Sequence, residues 1–341
     1  SIRDGAVSQR LKNFEEYTLC PAGIADSLVS PAARTSHADK GATFDGAGDP
    51  TSWLRRLADS ADASPEAIDD AIHFLRLEKY IDNSIEQARQ HPLKRAVREA
   101  YYKLRPAFPV AFRKYLQRMA LRGWNTRPFP NWPVDVTVET VVAGLWRRAL
   151  RAHDVEELPF IWFWPDGAPA ACIVTHDVET AAGRDFCGDL MKMEARHGIV
   201  SAFEVVPEER YTVPPDFLQS IRDNGCEVCL HSLNHDGRLF TSREIFESRV
   251  GRIKKYAGEW GAVGFRADVM YRNLDWLPEL GFSYDMSVPN VGHLDPQPGG
   301  CCTVMPYFIG SLVELPLTTI QDYSLFNILQ QRSIELWETQ I

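Results

Sequence analysis

The chain has 341 residues, 45% hydrophobic and 24% charged, enough for one large core or two smaller ones in an ordinary globular protein. A formal charge of −9 argues against general nucleic-acid binding, and no stretch approaches the ~18 consecutive apolar residues of a membrane span. Seven scattered cysteines do not form a disulfide framework, so a reducing compartment and a cytoplasmic location are expected.

Residues 1 to 50 are irregular, rich in Pro, Gly, Ser and Asp, with Cys20 and His37 read as surface groups. The chain begins at Ser1 with no charged-then-apolar leader, so an incomplete start is expected. From residue 51 to about 155 the pattern is helical. Thr51 or Ser52 caps a helix running to about Ala58. Ser64-Pro65-Glu66 starts another, with Ile68, Ile72, Leu75 and Leu77 on its apolar side.

Residues 94 to 127 hold ten Lys or Arg and one acid, Glu99, with Phe112, Tyr115, Leu116 and Met119 at helical spacing. Such a basic amphipathic segment packs on the main domain with a solvated basic face, or makes peripheral contact with an anionic membrane. Phe129-Pro-Asn-Trp-Pro133 breaks the helices, and another is expected over Val138–Ala152. An apolar run, Leu158 to Trp164, then leads into the second part, with the boundary placed near 155.

Beyond it, strands and helices alternate. Strand Ala171–His176 precedes helix Arg184–His197, and strand Val200–Val206 precedes helix Pro215–Asn224. The strand ending at His231 precedes helix Ser242–Trp260, and strand Ala262–Arg266 precedes a short helix, Leu274–Leu280. Short strands near Ser283–Met286 and Leu312–Leu315 follow, then a helix from about Ser324. This order argues for a parallel sheet, open or closed.

Three of these runs end in polar clusters. Cys226-Glu-Val-Cys-Leu-His-Ser-Leu-Asn-His-Asp236 places His231 and His235 four residues apart. An extended strand would hold the two rings roughly 13 Å apart, so sharing one ion requires the chain to bend after His231. The run ending Thr175-His-Asp-Val-Glu179 brings two acids, Asp177 and Glu179, and Gly264-Phe-Arg-Ala-Asp268 brings Arg266 and Asp268. Charged residues at the carboxyl ends of successive strands are how a parallel β/α barrel builds its site. Cys226 and Cys229, three apart in a strand-like run, face opposite sides and read as buried structural thiols.

These runs, with Leu277-Pro-Glu-Leu-Gly-Phe-Ser-Tyr-Asp-Met-Ser287 and Glu314-Leu-Pro-Leu317, occur in an order that resembles the motifs of the polysaccharide deacetylase family, the NodB-homology domain of carbohydrate esterase family 4. The resemblance covers about residues 158 to 341. It implies an α/β fold, a distorted (β/α) barrel at 156–341, after a helical region at 51–155 and an irregular segment at 1–50. It implies a metal-dependent carbohydrate N-deacetylase acting on an acetamido sugar or glycan in cell-envelope glycan assembly. Glu179, His231 and His235 would hold a divalent metal, with zinc favoured; Asp177 would be the general base and Arg266 its orienting cation.

Several residues depart from the family's pattern. Val178 separates the two acids that are adjacent in many members, and the second acid is Glu179. Asp268 stands where proline is frequent; Asp268 and Asp322 are assigned to substrate binding. The family's late histidine motif is not found before Ile341, so truncation at the carboxyl end is expected and His293, in Val291-Gly-His-Leu294, is the candidate acid. Purely structural alternatives are a buried hydrogen-bonded pair for His231 and His235, an ion pair for Arg266, and a packing role for His176. Trp276 and Tyr323 read as packing aromatics rather than sugar platforms. Alternative functions are hydrolysis of linear amides on the same scaffold, or non-catalytic sugar binding.

Overall fold

The β/α alternation beyond residue 170 is realised as a seven-stranded sheet in the computed structural model, which describes residues 65–81, 108–152, 154, 156–157 and 164–341. The expected helix near 51–58, the basic residues 94–107 and all but Trp164 of the 158–164 run lie outside the described residues. Ahead of the sheet come α1 (Pro65–Arg76), α2 (Val110–Ala120) and α3 (Thr137–Ala152). The sheet region runs β1 (Thr175–Val178), α4 (Ala181–Ala195), β2 (Ala202–Val205), α5 (Pro215–Asp223), β3 (Glu227–His231), α6 (Arg243–Trp260), β4 (Gly264–Arg266) and β5 (Tyr284–Asp285). A hairpin of β6 (Tyr307–Ile309) and β7 (Leu312–Glu314) and a short α7 (Glu335–Gln340) complete it.

The strand order is β1-β2-β3-β4-β5-β7-β6, parallel except for the antiparallel β6–β7 pair. A barrel gives every strand two neighbours. Among the described residues β1 pairs only with β2 and β6 only with β7, so the described strands do not close into the expected barrel. Strand β6 is an addition to the expected elements, and Tyr307-Phe-Ile-Gly-Ser-Leu-Val-Glu314 carries a hairpin signal: two short apolar runs around Gly310-Ser311, with Gly310 at φ +63°. The expected helix near Leu274 shortens to a 3₁₀ turn at Leu277–Leu280, and the one from Ser324 to a π-helical turn at Tyr323–Ile328 followed by α7.

Local chemistry explains the element ends. Thr180 Oγ1 accepts from Gly183 N at 3.1 Å and caps α4, and Ser242 Oγ accepts from Ile245 N at 3.3 Å and caps α6. Pro215 opens α5, and Gly261, at φ +59°, ends α6. At Gly264 a Cβ would collide with the Tyr284 ring of the neighbouring strand, so only glycine lets β4 and β5 approach.

One apolar layer joins Val178, Phe203, Val205 and Val228 with Cys187, Met191, Leu218 and Ile221. A second joins Leu230 and Phe265 with Phe246, Ile253, Leu277 and Phe282. These layers pack α4, α5 and α6 against one face of the strands. Thr175, Asp177, Glu204 and Arg266 project to the other face, in keeping with the period-2 alternation of strands.

The chain divides into two units: residues of Ser1–Leu75 and Val136–Cys172, and residues of Arg76–Asp135 and Ile173–Ile341. In the first, the described part consists mainly of α1 and α3, with Ile68, Leu75, Val138 and Val141 buried. The second unit includes segments that had been grouped with the helical region. Arg272 Nε donates to Glu78 Oε2 at 2.8 Å, and Gly300 N to Glu78 Oε1 at 2.6 Å. Asp135 and Asn290 exchange two hydrogen bonds, at 2.8 and 2.7 Å. Within the same unit Lys114 Nζ donates to Asn327 Oδ1 at 2.5 Å and Tyr323 Oη to Gln117 Oε1, which seats α2 on the π-helical turn.

Candidate metal centre

The site forms where β1, β3 and β4 end. Alternation along β1 sends Thr175 and Asp177 to one face and His176 and Val178 to the other. His176 Nε2 lies 2.6 Å from Glu194 Oε1 and its ring packs on Phe203, so it is structural, as expected. Glu179 comes one residue after the strand. On β3, His231 stands opposite Arg266 of β4 in the parallel register.

His231 Nδ1 lies 3.2 Å from the Arg266 carbonyl oxygen. A carbonyl only accepts, so Nδ1 donates to it and Nε2 is the nitrogen turned to the site, the usual second-shell device for a metal-binding imidazole. The bend that the two histidines require follows at once. Ser232 (φ +55°) and His235 (φ +54°) adopt left-handed conformations, with Gly237 at φ +71°. The coil brings the two ring centroids to 4.9 Å. Left-handed non-glycine residues cost about 1–3 kcal/mol each and persist where the surroundings over-determine them.

Those surroundings are visible. Asp236 receives two hydrogen bonds from Arg249 of α6, both at 2.7 Å, and Asp268 Oδ2 accepts from Gly237 N. Asp268, assigned to substrate on sequence grounds, is 1% exposed and holds the His235 loop. Asp236 anchors that loop to α6.

One ligand atom from each of Glu179, His231 and His235 lies within 4.8 Å of the others. Glu179 Oε1 is 3.0 Å from His235 Nε2 and 3.9 Å from His231 Nε2. Both Nε2 atoms are buried, and neither has a partner in hydrogen-bond alignment. One carboxylate and two imidazoles with converging nitrogens match the donor set of a catalytic zinc-type site, which keeps a position open for water or substrate. The residues present therefore fit a divalent cation.

Asp177 sits beside this group with Oδ2 3.8 Å from His231 Nε2. Arg266 Nη1 donates to Asp177 Oδ1 and Nη2 to Thr175 Oγ1, each at 2.8 Å, while Nε donates to the Met286 carbonyl at 3.1 Å. Three fixed partners make Arg266 a rigid clamp. Burial pushes the Asp177 carboxyl upward, but Arg266 and His231 outweigh it and hold it below the ordinary range. Burial likewise opposes ionisation of Glu179, and the two histidines overcome it, so that this acid is strongly depressed. For His231 burial favours the neutral ring, yet Asp177 and Glu179 raise it to about 9. The excess negative charge that favours an imidazolium there also favours a bound cation.

Glu204 escaped notice in the sequence. It lies on β2 between Asp177 and Cys229 in register, is fully buried, and neither carboxyl oxygen has a hydrogen-bond partner. Arg266 Nη1 is 3.8 Å from its Oε2. Burial raises this acid to about 8. The signal available was a lone Glu in an otherwise apolar run, Ser201-Ala-Phe-Glu-Val-Val206.

The other expected residues have contacts of their own. His293 is 1% exposed and stacks on Trp132 with centroids 6.0 Å apart, and its carbonyl accepts from Arg127. Burial, then Arg127, lower its pKa. Asp322 is exposed and accepts from Tyr323 N at 2.5 Å, capping the π-helical turn. Trp276 packs on Phe246 beneath Arg243. Cys226 and Cys229 are buried free thiols, and burial pushes Cys229 up to about 12.

No family model and no curated protein matches this chain. Among solved structures the chain is similar to a Mycobacterium smegmatis protein provisionally named a polysaccharide deacetylase, at 21% identity and a TM-score of 0.39, covering 52% of this chain and 73% of that one.

Proposed function

We propose that this protein is a metal-dependent hydrolase that removes acetyl groups from an acetamido sugar or glycan. The observation that carries the reading is the convergence of Glu179, His231 and His235, with an ionised Asp177 beside them held by Arg266. The order of the motifs that contain these residues supports a carbohydrate amide as substrate. When bound, a divalent cation, zinc being favoured by the donor set, supplies Lewis acidity for water and carbonyl.

Asp177 acts as general base. It takes a proton from water as the water oxygen bonds to the amide carbon, and returns a proton to the nitrogen as the carbon–nitrogen bond breaks, giving free amine and acetate. Arg266 keeps Asp177 ionised before each cycle and fixes its angle to the site. Glu179 and the two imidazoles hold the cation, and the Arg249–Asp236 and Asp268–Gly237 contacts hold His235 in place.

The test is acetate release by purified, zinc-loaded protein from a panel of acetylated sugars and linear amides, beside its metal content. Asp177→Asn should lower turnover by about 10²- to 10⁴-fold and retain the metal. Sugar turnover that survives in Asp177→Asn, or a wild-type protein that binds no divalent metal, ends the proposal. Turnover of linear amides alone moves the substrate to that class.

A further inference from the structure

Helix α2 presents a surface that the proposed chemistry does not use. Its inward side is defined by Lys114 and Gln117, which bond Asn327 and Tyr323. At about 100° per residue, Phe112, Tyr115 and Met119 fall within an arc of about 60° on the opposite side. They are 43%, 51% and 48% exposed, an apolar ridge along a helix that is seated by its other face. On the same projection Arg118 borders the ridge beside Tyr115, and Arg122 follows just past the helix end at Ala120.

Residues 110 to 122 carry four cations and no acid, in a chain whose formal charge is −9. The sequence extends the same bias through residues 94 to 127, with ten cations and one acid. An apolar ridge bordered by cations is complementary to one kind of surface: a hydrocarbon boundary beneath anionic headgroups. A second copy of the chain fits poorly, because a two-fold contact sets the same patch against itself and opposes like charges. A nucleic acid would leave the apolar ridge unpaired.

We propose that the outer face of α2 docks this protein onto an anionic lipid bilayer, with Phe112, Tyr115 and Met119 entering the interface and Arg118 and Arg122 meeting headgroups. The contact is peripheral, since no helix among the described residues is long and apolar enough to cross a membrane. The proposal does not depend on the reaction assigned to the metal centre.

The experiment is co-sedimentation of the full chain with phosphatidylcholine vesicles, pure or containing about one-third phosphatidylglycerol. Binding is expected only to the anionic vesicles and should be lost in salt high enough to shrink the Debye length to about 3 Å. Arg118→Ala and Arg122→Ala should each weaken binding about fivefold. Phe112→Ser with Met119→Ser should weaken it at unchanged charge, with melting temperature and metal content preserved to show an intact fold. Equal binding to neutral vesicles, no binding to anionic ones, or variants that bind like wild type overturn the proposal. So does a concentration-dependent dimer, seen by light scattering, that the Phe112/Met119 pair abolishes.

Discussion

Arg266 Nη1 donates to Asp177 Oδ1 at 2.8 Å across 89 residues of chain. This pair separates the two acids of β1 into different tasks. Asp177 is tied to an arginine and left ionised beside the site, while Glu179, two residues on, points its oxygen at the imidazoles.

Replacing Arg266 with Met should therefore do two things. Asp177 loses the cation that holds its pKa down, so the acidic limb of a kcat/KM profile should move to higher pH. Breaking a buried pair from one side should also cost on the order of 3 kcal/mol, read as a lower urea midpoint. An acidic limb that stays in place would mean that Arg266 acts only in the fold.

The ligand set predicts a stability signature independent of turnover. Zinc binding the folded chain alone should stabilise it by about 2.7 kcal/mol at 100 times the Kd. His231→Ala and His235→Ala should each abolish the zinc-dependent rise in melting temperature. Persistence of the rise in either variant would place the ion elsewhere.

The Asp236–Arg249 pair is predicted to matter for affinity, although neither residue is a metal ligand. Arg249→Ala frees the loop that turns His235 inward, and zinc affinity should fall about 10- to 100-fold, as for other outer-shell partners. Competition with a chromogenic chelator measures it. The ordinary glutamate value of 4.5 is raised in the folded chain to about 8 at Glu204, chiefly by burial.

That shift sets a pH dependence with a definite sign. Between pH 4.5 and about 8 the unfolded chain has released the Glu204 proton and the folded chain retains it. The folded state then binds more protons, so this group's contribution to stability declines as pH rises, by about 1.4 kcal/mol per pH unit at the steepest. Glu204→Gln cannot ionise and should lose that slope. Denaturant midpoints of both proteins across pH 5 to about 8 test it, and parallel lines would show that Glu204 is ionised throughout.

Much of the sheet region was legible from sequence because its signals are local. Short apolar runs mark β1 to β4, and Pro215 and Ser242 announce the helices that follow β2 and β3. The hairpin strand β6 was missed because three residues carry little periodicity, and a pairing partner is what makes them a strand. That the described strands do not close was also beyond reach, since closure depends on which strands find two neighbours.

The sequence by itself determined that acids, imidazoles and an arginine would stand at the ends of parallel strands, because side-chain alternation and strand length follow from adjacent residues. Only the tertiary structure decided what each would touch: Asp268 turned to Gly237, His293 laid on Trp132, Glu204 sealed beneath Arg266. The reason is that burial and charge pairing act between residues far apart in the chain. The same carboxyl is ligand, anchor or neutral core group according to the partners and the solvent that folding leaves it.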